Sequence, residues 1–138
     1  MIVLDTNVVS ELIATDPAPH VRAWVDNQNV ADVFLTAITA AELRAGVGVL
    51  PRGRRKELLR SKIEGLITVV FAGYVLPFDV EASHYYAEIA AAGKRRGRPV
   101  SGFDAQIAAV CRRHDATLAT RNVSDFRDTK ILVVNPWE

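Results

Sequence analysis

The first thirteen residues constrain the fold more than any other stretch of the chain. Residues 2–4 are apolar and predict a buried strand that ends at Asp5. Apolar residues then recur at helical spacing over residues 8–13, after a turn in which Thr6 or Asn7 is suited to cap the helix. A strand, a short turn and a helix form the first half of a βαβ unit. Asp5 is therefore expected at the carboxyl end of a parallel strand, where such folds bind ligands.

The rest of the chain continues this alternation. The pattern predicts strands over residues 32–36, 75–78, 116–120 and 131–134. It predicts helices over residues 20–28, 37–50, 54–68, 79–93 and 101–114. Alternating strands and helices indicate an α/β protein whose mostly parallel sheet is covered on both faces. No repeat, low-complexity tract or boundary interrupts residues 1–138, so one domain is expected.

Composition narrows the function classes. With 138 residues, 49% hydrophobic and 24% charged, the chain is expected to be ordered and globular. A net charge of +1 argues against an overall basic field, although it permits an acidic site beside basic patches. The single cysteine, Cys111, excludes an intrachain disulfide and is expected in the core. No apolar run approaches a membrane span and no signal peptide precedes the first strand, so no membrane contact and a cytoplasmic location are expected.

Three later acids stand at predicted helix entrances, as Asp5 does. Glu42, Asp104 and Asp125 each follow a potential capping residue by three positions. The spacings are Thr39 to Glu42, Ser101 to Asp104 and Asn122 to Asp125. A capping box, in which the acid reaches back to the cap, is the structural alternative for each, although Glu suits it better than Asp.

A parallel sheet gives these acids a second interpretation. If the strands are parallel, Asp5, Glu42, Asp104 and Asp125 converge on one edge of the sheet. Carboxylates packed closely in a partly desolvated cleft repel one another unless they take up protons or a cation. Oxygen ligands without a Cys or His cluster suit Mg²⁺ or Mn²⁺. The predicted chemistry is metal-assisted hydrolysis of a phosphodiester by an activated water.

Five segments carry a family resemblance that spans essentially the whole chain. Residues 1–7, 39–43, 104–109, 119–126 and 135–137 resemble PIN-domain nucleases, and most closely the VapC/FitB-type toxins. The resemblance implies a Mg²⁺- or Mn²⁺-dependent ribonuclease with a three-layer αβα sandwich fold. It also implies a homodimer that is inhibited by a cognate antitoxin, VapB/FitA-like, which itself binds the operon DNA.

The resemblance also implies site residues. By position, Asp5, Glu42 and Asp104 match the three central acids of the family. Some members place the fourth acid where Asn122 stands, and others use the position of Asp125. Because this chain has Asn at the first position and Asp at the second, Asp125 is assigned. The four acids are thus predicted as catalytic residues and metal ligands.

Several neighbouring residues are predicted to support the acids or to meet the substrate. Thr6 and Asn7 are expected to hydrogen-bond water, carboxylates or phosphate, and Asn122 to be a polar neighbour. Arg121, next to the fourth acid, is expected to offset its charge or to contact a phosphate. Basic residues at 52–62 and 94–98 are either solvated surface or a contact for the RNA backbone, with the second cluster the better candidate.

The first hypothesis is therefore an endoribonuclease toxin. One alternative is a non-catalytic regulatory module that binds a metal or phosphate, although the turn after Asp5 lacks the paired acids such modules use. A DNA-directed nuclease is also left open, because carboxylates do not distinguish sugars.

Apolar residues of the two helices around residues 40–60 are either core or partly a groove for an antitoxin helix. They are Leu43, Val47, Leu50, Leu58 and Leu59.

Overall fold

The computed structural model describes residues 1–138 and is built on a five-stranded sheet with six α-helices. The strands are β1 (Ile2–Leu4), β2 (Val33–Thr36), β3 (Val75–Leu76), β4 (Thr117–Ala119) and β5 (Val133–Val134). The helices are α1 (Thr6–Ile13), α2 (Pro19–Asp26), α3 (Ala37–Gly48), α4 (Arg54–Gly65), α5 (Val80–Arg95) and α6 (Gly102–His114). Short 3₁₀ turns lie at Val30–Asp32 and Val123–Phe126.

The order of the strands places β1 at the centre of the sheet. The order is β3-β2-β1-β4-β5, and every neighbouring pair is parallel, which confirms the predicted parallel sheet. From β1 the chain builds β2 and β3 on one side and then crosses to build β4 and β5 on the other. The topological switch point therefore lies between the carboxyl ends of β1 and β4. Asp5 is the first residue beyond β1 at this point.

Two hydrophobic cores cover the two faces of the sheet. Val3 faces one core, which is built mainly from α5 and α6. Leu4, whose side chain points the opposite way, faces the other core with α1, α2, α3 and α4. The predicted three-layer αβα sandwich is confirmed. Cys111 is fully buried in the first core, as predicted, and burial raises the pKa of its thiol to about 12, so the thiol stays protonated.

One predicted helix is shorter than the sequence indicated. The helix expected over residues 54–68 ends at Gly65 and is followed by a π-helical turn, Leu66–Val70. Its wider hydrogen bonding is visible in the 2.9 Å bond from the Phe71 N–H to the Leu66 carbonyl. Most of this turn consists of β-branched residues, which fit a regular helix less well.

None of the six helices has both the length and the apolar character needed to cross a membrane.

Gly93, a buried glycine of α5, lies against the loop that follows this helix, residues 96–101, which is called the basic loop here. The Arg98 N–H donates to the Gly93 carbonyl at 3.0 Å, and the Arg98 guanidinium pairs with Asp128 at 2.9 Å. A Cβ atom at Gly93 would lie 3.0 Å from the Arg98 carbonyl oxygen and 3.3 Å from the Val100 nitrogen. The loop that leads into α6 therefore packs against residue 93 more closely than a side chain there would ordinarily allow.

Replacing Gly93 by alanine is expected to destabilise the protein. Alanine favours a helix, but its Cβ collides with loop backbone that cannot rotate away, so a loss of about 1–3 kcal/mol in the free energy of unfolding is expected. Gly46→Ala is the matched control, since its Cβ meets no atom within 4 Å in α3. That variant should gain roughly 0.5–1 kcal/mol. Urea unfolding of both variants measures the difference, and equal gains would contradict the packing described for Gly93.

Candidate active site

Asp5 is a buried carboxylate at the centre of the site. Its side chain is only 5% exposed. One carboxylate oxygen accepts the Thr6 N–H at 2.8 Å, and the other accepts the Thr120 hydroxyl at 2.7 Å. Asp5 is therefore the cap of α1, and the prediction that Thr6 or Asn7 caps this helix was wrong. The cap precedes them because β1 ends at Leu4 and α1 begins one residue after Asp5.

Glu42 serves no helix cap. The cap of α3 is Thr36, whose hydroxyl oxygen accepts the Thr39 N–H at 3.1 Å, so Glu42 lies in the second turn of the helix. The capping-box alternative is wrong for Glu42, because the helix begins three residues earlier than that alternative requires. Instead, Glu42 accepts a 2.8 Å hydrogen bond from the hydroxyl of Thr6 across the site.

Asp104 and Asp125 lie on the other side of Asp5. The hydroxyl oxygen of Ser101 accepts the Asp104 N–H at 3.2 Å, which is one half of a capping box at the start of α6. The return bond from the Asp104 carboxylate is not made. Asn122 makes no side-chain capping bond, so the capping alternative does not account for Asp125 either. Phe126, fully buried, anchors the turn that carries Asp125.

Two adjoining cavities divide the predicted site residues. The first, of about 490 Å³, is called the acidic cavity here and contains all the predicted residues except Asp125. It is lined by Asp5, Thr6, Asn7, Ser10, Glu11, Glu42, Asp104, Arg121, Asn122 and Trp137. The second, of about 440 Å³, is lined by Asp104 and Asp125 together with residues of the basic loop. Asp104 borders both cavities.

The four acids influence one another electrostatically. Burial raises the pKa of Asp5, hydrogen bonds from Thr120 and Thr6 oppose this rise, and the charge of Asp125 adds to it. Burial also raises the pKa of Asp104, the Ser101 hydroxyl opposes the rise, and the nearby carboxylates of Asp5, Asp125 and Glu42 add to it. Asp125 therefore acts on both acids although it borders only the second cavity.

Thr120 is a site residue that the sequence pattern did not reveal. Its hydroxyl donates to Asp5 and accepts from the Asn7 side chain and the Asn122 N–H, both at 3.1 Å. In the parallel register Leu4 pairs with Ala119, so the next residues, Asp5 and Thr120, are neighbours at the switch point. Trp137, Ser10 and Glu11 were likewise not predicted as lining residues. Thr120 is identified as a site residue from the register between β1 and β4. This register can be used only once it is known that the two strands are adjacent.

Comparison with known proteins identifies the family. A family model described as the PIN domain matches residues 2–132. The chain belongs to the PIN-domain family. It is 43% identical to the VapC ribonuclease Y4jK of Sinorhizobium fredii, over all of this chain and 99% of that protein. It is 42% identical to the toxin FitB of Neisseria gonorrhoeae, over 99% of both chains.

A solved complex shares this fold. The structure of FitAB bound to a DNA fragment superposes with a TM-score of 0.93 at 41% identity, and the match covers all of this chain and 96% of that chain. The resemblance that the sequence motifs indicated is confirmed.

Family membership implies the use of a divalent metal ion, and the donor set fits one. No three Asp, Glu, His or Cys side chains form a preformed ligand group. Mg²⁺, however, keeps several of its waters and is usually bound through one or two carboxylates. The carboxylates that share the acidic cavity, of which Asp5 and Glu42 raise the pKa of Asp104, provide the oxygen ligands and the negative potential that such a hydrated ion requires.

The raised pKa of Asp5 predicts how stability depends on pH in metal-free buffer. The protonated form stabilises the fold at low pH, and this stabilisation is lost as the pH rises through the raised pKa. Asp5→Asn keeps an acceptor for the Thr6 N–H and removes the buried charge. It should raise the unfolding temperature by a few degrees at pH 7, and the difference should vanish below the ordinary carboxyl pKa of about 4.

Thermal unfolding in EDTA at several pH values measures this effect. Asp16→Asn, in the exposed loop between α1 and α2, is the control and should not change the pH dependence. A constant difference between Asp5→Asn and the parent protein at every pH would show that burial of the charge is not its cause.

Proposed function

We propose that the chain is an endoribonuclease that depends on Mg²⁺ or Mn²⁺ and acts as the toxin of a type II toxin–antitoxin pair. The observation that carries this proposal is the acidic cavity, in which Asp5, Glu42 and Asp104 meet at the switch point of the sheet. Clustered carboxylates destabilise the folded protein when they are ionised. Such an arrangement is retained where a bound cation uses it. Relatives named as a ribonuclease and as a toxin favour RNA over DNA as the substrate.

Asp5, Asp104 and Asp125 would hold the ion, and Glu42 would bind it directly or through water. When bound, such an ion activates a water molecule and stabilises the charge that develops on the scissile phosphate. Asp104 borders both cavities, which supports a role for it together with both Asp5 and Asp125. Residues 1–138 would act as one PIN domain.

The neighbouring polar side chains would orient the acids. Thr6 fixes one oxygen of Glu42, and Thr120 fixes one oxygen of Asp5. Asn7 contacts the Thr120 hydroxyl through its amide nitrogen and the Arg121 N–H through its amide oxygen. Asn122 lines the cavity and donates its backbone N–H to Thr120. Such supporting bonds restrict the carboxylates to the rotamers that face the substrate.

The expected protein partners are a cognate antitoxin that binds DNA and a second copy of this chain. The related complex of FitAB on DNA supports the first.

A mostly apolar groove of about 310 Å³ lies between α1, α3 and α4 and extends to Glu42, which also lines the acidic cavity. It includes Leu43, Val47, Leu50 and Leu59, four of the residues predicted for an antitoxin helix. Leu58 is outside it and is exposed to solvent. An antitoxin helix in this groove would lie close to Glu42.

The proposed cellular location of the protein is the cytoplasm.

Glu42→Gln tests the proposed function. Its amide oxygen can still accept the Thr6 hydroxyl, so the unfolding temperature should change little. Loss of the charge should lower Mg²⁺-dependent RNA cleavage on the order of 100-fold, as expected when a metal-site group is lost. The assay uses the purified chain with single-stranded RNA in Mg²⁺ or Mn²⁺, with EDTA and single-stranded DNA in parallel. The same variant should relieve the growth arrest that the parent chain causes when it is expressed alone.

Glu57→Gln is the matched control for this test. Glu57 lies on α4, pairs with Arg60 and faces solvent, so its loss changes the net charge equally without reaching the acidic cavity. RNA cleavage that survives EDTA, or that Glu42→Gln leaves at the parent rate, would refute the metal-dependent mechanism. Cleavage of DNA in preference to RNA would favour the DNA-directed alternative.

The assignment of the fourth acid leads to a separate prediction. Asp125→Asn should lower RNA cleavage by about 10- to 100-fold, because it removes a charge that acts on both Asp5 and Asp104. Asn122→Ala should have a smaller effect, since the bond from Asn122 to Thr120 uses its backbone N–H. Initial rates at saturating Mg²⁺ compare the two variants. A larger loss for Asn122→Ala would mean that Asn122, and not Asp125, completes the site.

A further inference from the structure

Arg121 is the only cation that lines the acidic cavity, yet it pairs with none of its carboxylates. The residues that line this cavity include four acids, Asp5, Glu11, Glu42 and Asp104. An exposed arginine beside so many carboxylates would ordinarily form an ion pair with one of them. The ion pairs of the protein do not include Arg121, and its guanidinium makes no hydrogen bond.

The guanidinium of Arg121 lies instead over an aromatic ring. Its Cζ atom is 5.0 Å from the centre of the Trp137 ring, which is within the range of a cation–π interaction. Trp137 is partly buried and packs against the core formed with α1 to α4. Its backbone N–H donates to the Asn135 side chain at 2.9 Å, which fixes the turn after β5. The ring is therefore a rigid support for the arginine.

The backbone of Arg121 is also fixed relative to the acids. Its N–H donates to the side-chain oxygen of Asn7 at 3.2 Å. It directly follows Thr120, which binds Asp5. The main chain of Arg121 is therefore held by Asn7 of α1, and its guanidinium is held by Trp137. The N–H groups of the guanidinium have no protein acceptor, so they are available to an anion at the cavity.

An RNA substrate needs such a group at this place. Each phosphate of the strand is negatively charged and is repelled by the carboxylates of the acidic cavity. A guanidinium offers up to five N–H donors in a geometry that matches a phosphate, and it stays charged at all relevant pH values. Of the other arginines that border the acids, Arg98 pairs with Asp128 at 2.9 Å, and Arg127 lines only the second cavity.

We propose that Arg121 and Trp137 form a subsite for the RNA backbone at the acidic cavity, in which Arg121 binds a phosphate and Trp137 positions its guanidinium. This subsite rests on the proposed ribonuclease function, whose substrate it would hold. Arg121 is the residue that touches the RNA. Trp137 is a positioning residue that acts through Arg121 and keeps it from pairing with the carboxylates.

Binding can be measured apart from catalysis in an Asp5→Asn background. The measurement is fluorescence anisotropy of a labelled single-stranded RNA with Mg²⁺ present, at several salt concentrations. Adding Arg121→Gln should weaken binding about tenfold, as expected for a lost charge-assisted hydrogen bond. It should also reduce the salt dependence by about 0.7 in the slope of log K against log salt, the value for one phosphate contact on a single strand. Arg121→Lys should retain the salt slope and only part of the affinity.

Arg22→Gln is the matched control. Arg22 lies on α2, is exposed, pairs with Asp26 one helical turn away, and lies outside both basic clusters and the acidic cavity. It removes the same charge, so its binding should remain close to that of the background protein. If Arg22→Gln and Arg121→Gln weaken binding equally, net charge alone is responsible and the subsite is refuted.

Trp137 variants test the positioning role. Trp137→Leu should weaken RNA binding, and Arg121→Gln should then have little further effect, because the two residues act as one unit. Trp137→Phe keeps an aromatic face and should restore most of the affinity. Full additivity of the Arg121 and Trp137 effects would refute the coupling. The protein has two tryptophans, so in a Trp24→Phe background the fluorescence of Trp137 should respond to RNA, and this response should weaken in Arg121→Gln.

The outcomes separate this subsite from the proposed function. If the parent chain cleaves RNA and Arg121→Gln binds RNA as tightly as the background protein, only the subsite is wrong. If the parent chain neither binds nor cleaves RNA, the proposed function itself fails, and the subsite fails with it. Thermal unfolding of each variant verifies that lost binding does not reflect lost folding.

Discussion

The structure depends on one buried carboxylate at the end of the central strand. Asp5 is nearly inaccessible to solvent, and its charge is tolerated because both of its oxygens accept short hydrogen bonds. One bond caps α1, and the other joins the end of β1 to the end of β4. The same two contacts thus start the first helix, connect the central strands and hold the carboxylate toward the acidic cavity. Movement of β4 relative to β1 would break the Thr120 bond and leave only the Thr6 N–H as a close partner for this charge.

The remaining acids make the site less stable than an uncharged one. Burial and mutual repulsion raise the pKa values of Asp5 and Asp104, so the ionised site opposes folding when no cation is present. The hydrogen bonds that Thr120 and Thr6 donate to Asp5, and the Ser101 hydroxyl near Asp104, recover only part of this cost. A protein keeps an arrangement of this kind where its chemistry requires it. Stability and the proposed catalysis therefore make opposite demands on the same residues.

Three arginines near the site have partners other than the acids of the cavity. Arg98 is held by Asp128, and the Arg96 guanidinium contacts the Asp128 carbonyl at 3.4 Å, so the basic loop is fastened to the segment after Asp125. Arg121 is held by Trp137. If any of these arginines paired with an acid of the cavity, it would compete with a metal ion for that acid. Their partners leave the carboxylates of the acidic cavity available to a metal ion.

The sequence by itself determined the parallel sandwich, the position of Asp5 after the first strand and the predicted ends of most helices, because the periods of strands and helices are local properties. It also led to Glu42 and Asp104 through their spacing from potential caps at predicted helix entrances and through the family resemblance. Local spacing failed for the cap of α3, since a three-residue interval does not show where a helix begins. Residue type failed for the cap of α1, because Asp5, Thr6 and Asn7 are all suited to capping. Only the tertiary structure decided that Thr120 meets Asp5, that Asn122 lines the acidic cavity while Asp125 lines its neighbour, and that Trp137 supports Arg121. These contacts join residues far apart in the chain, and they follow from strand order and register, which no local pattern records.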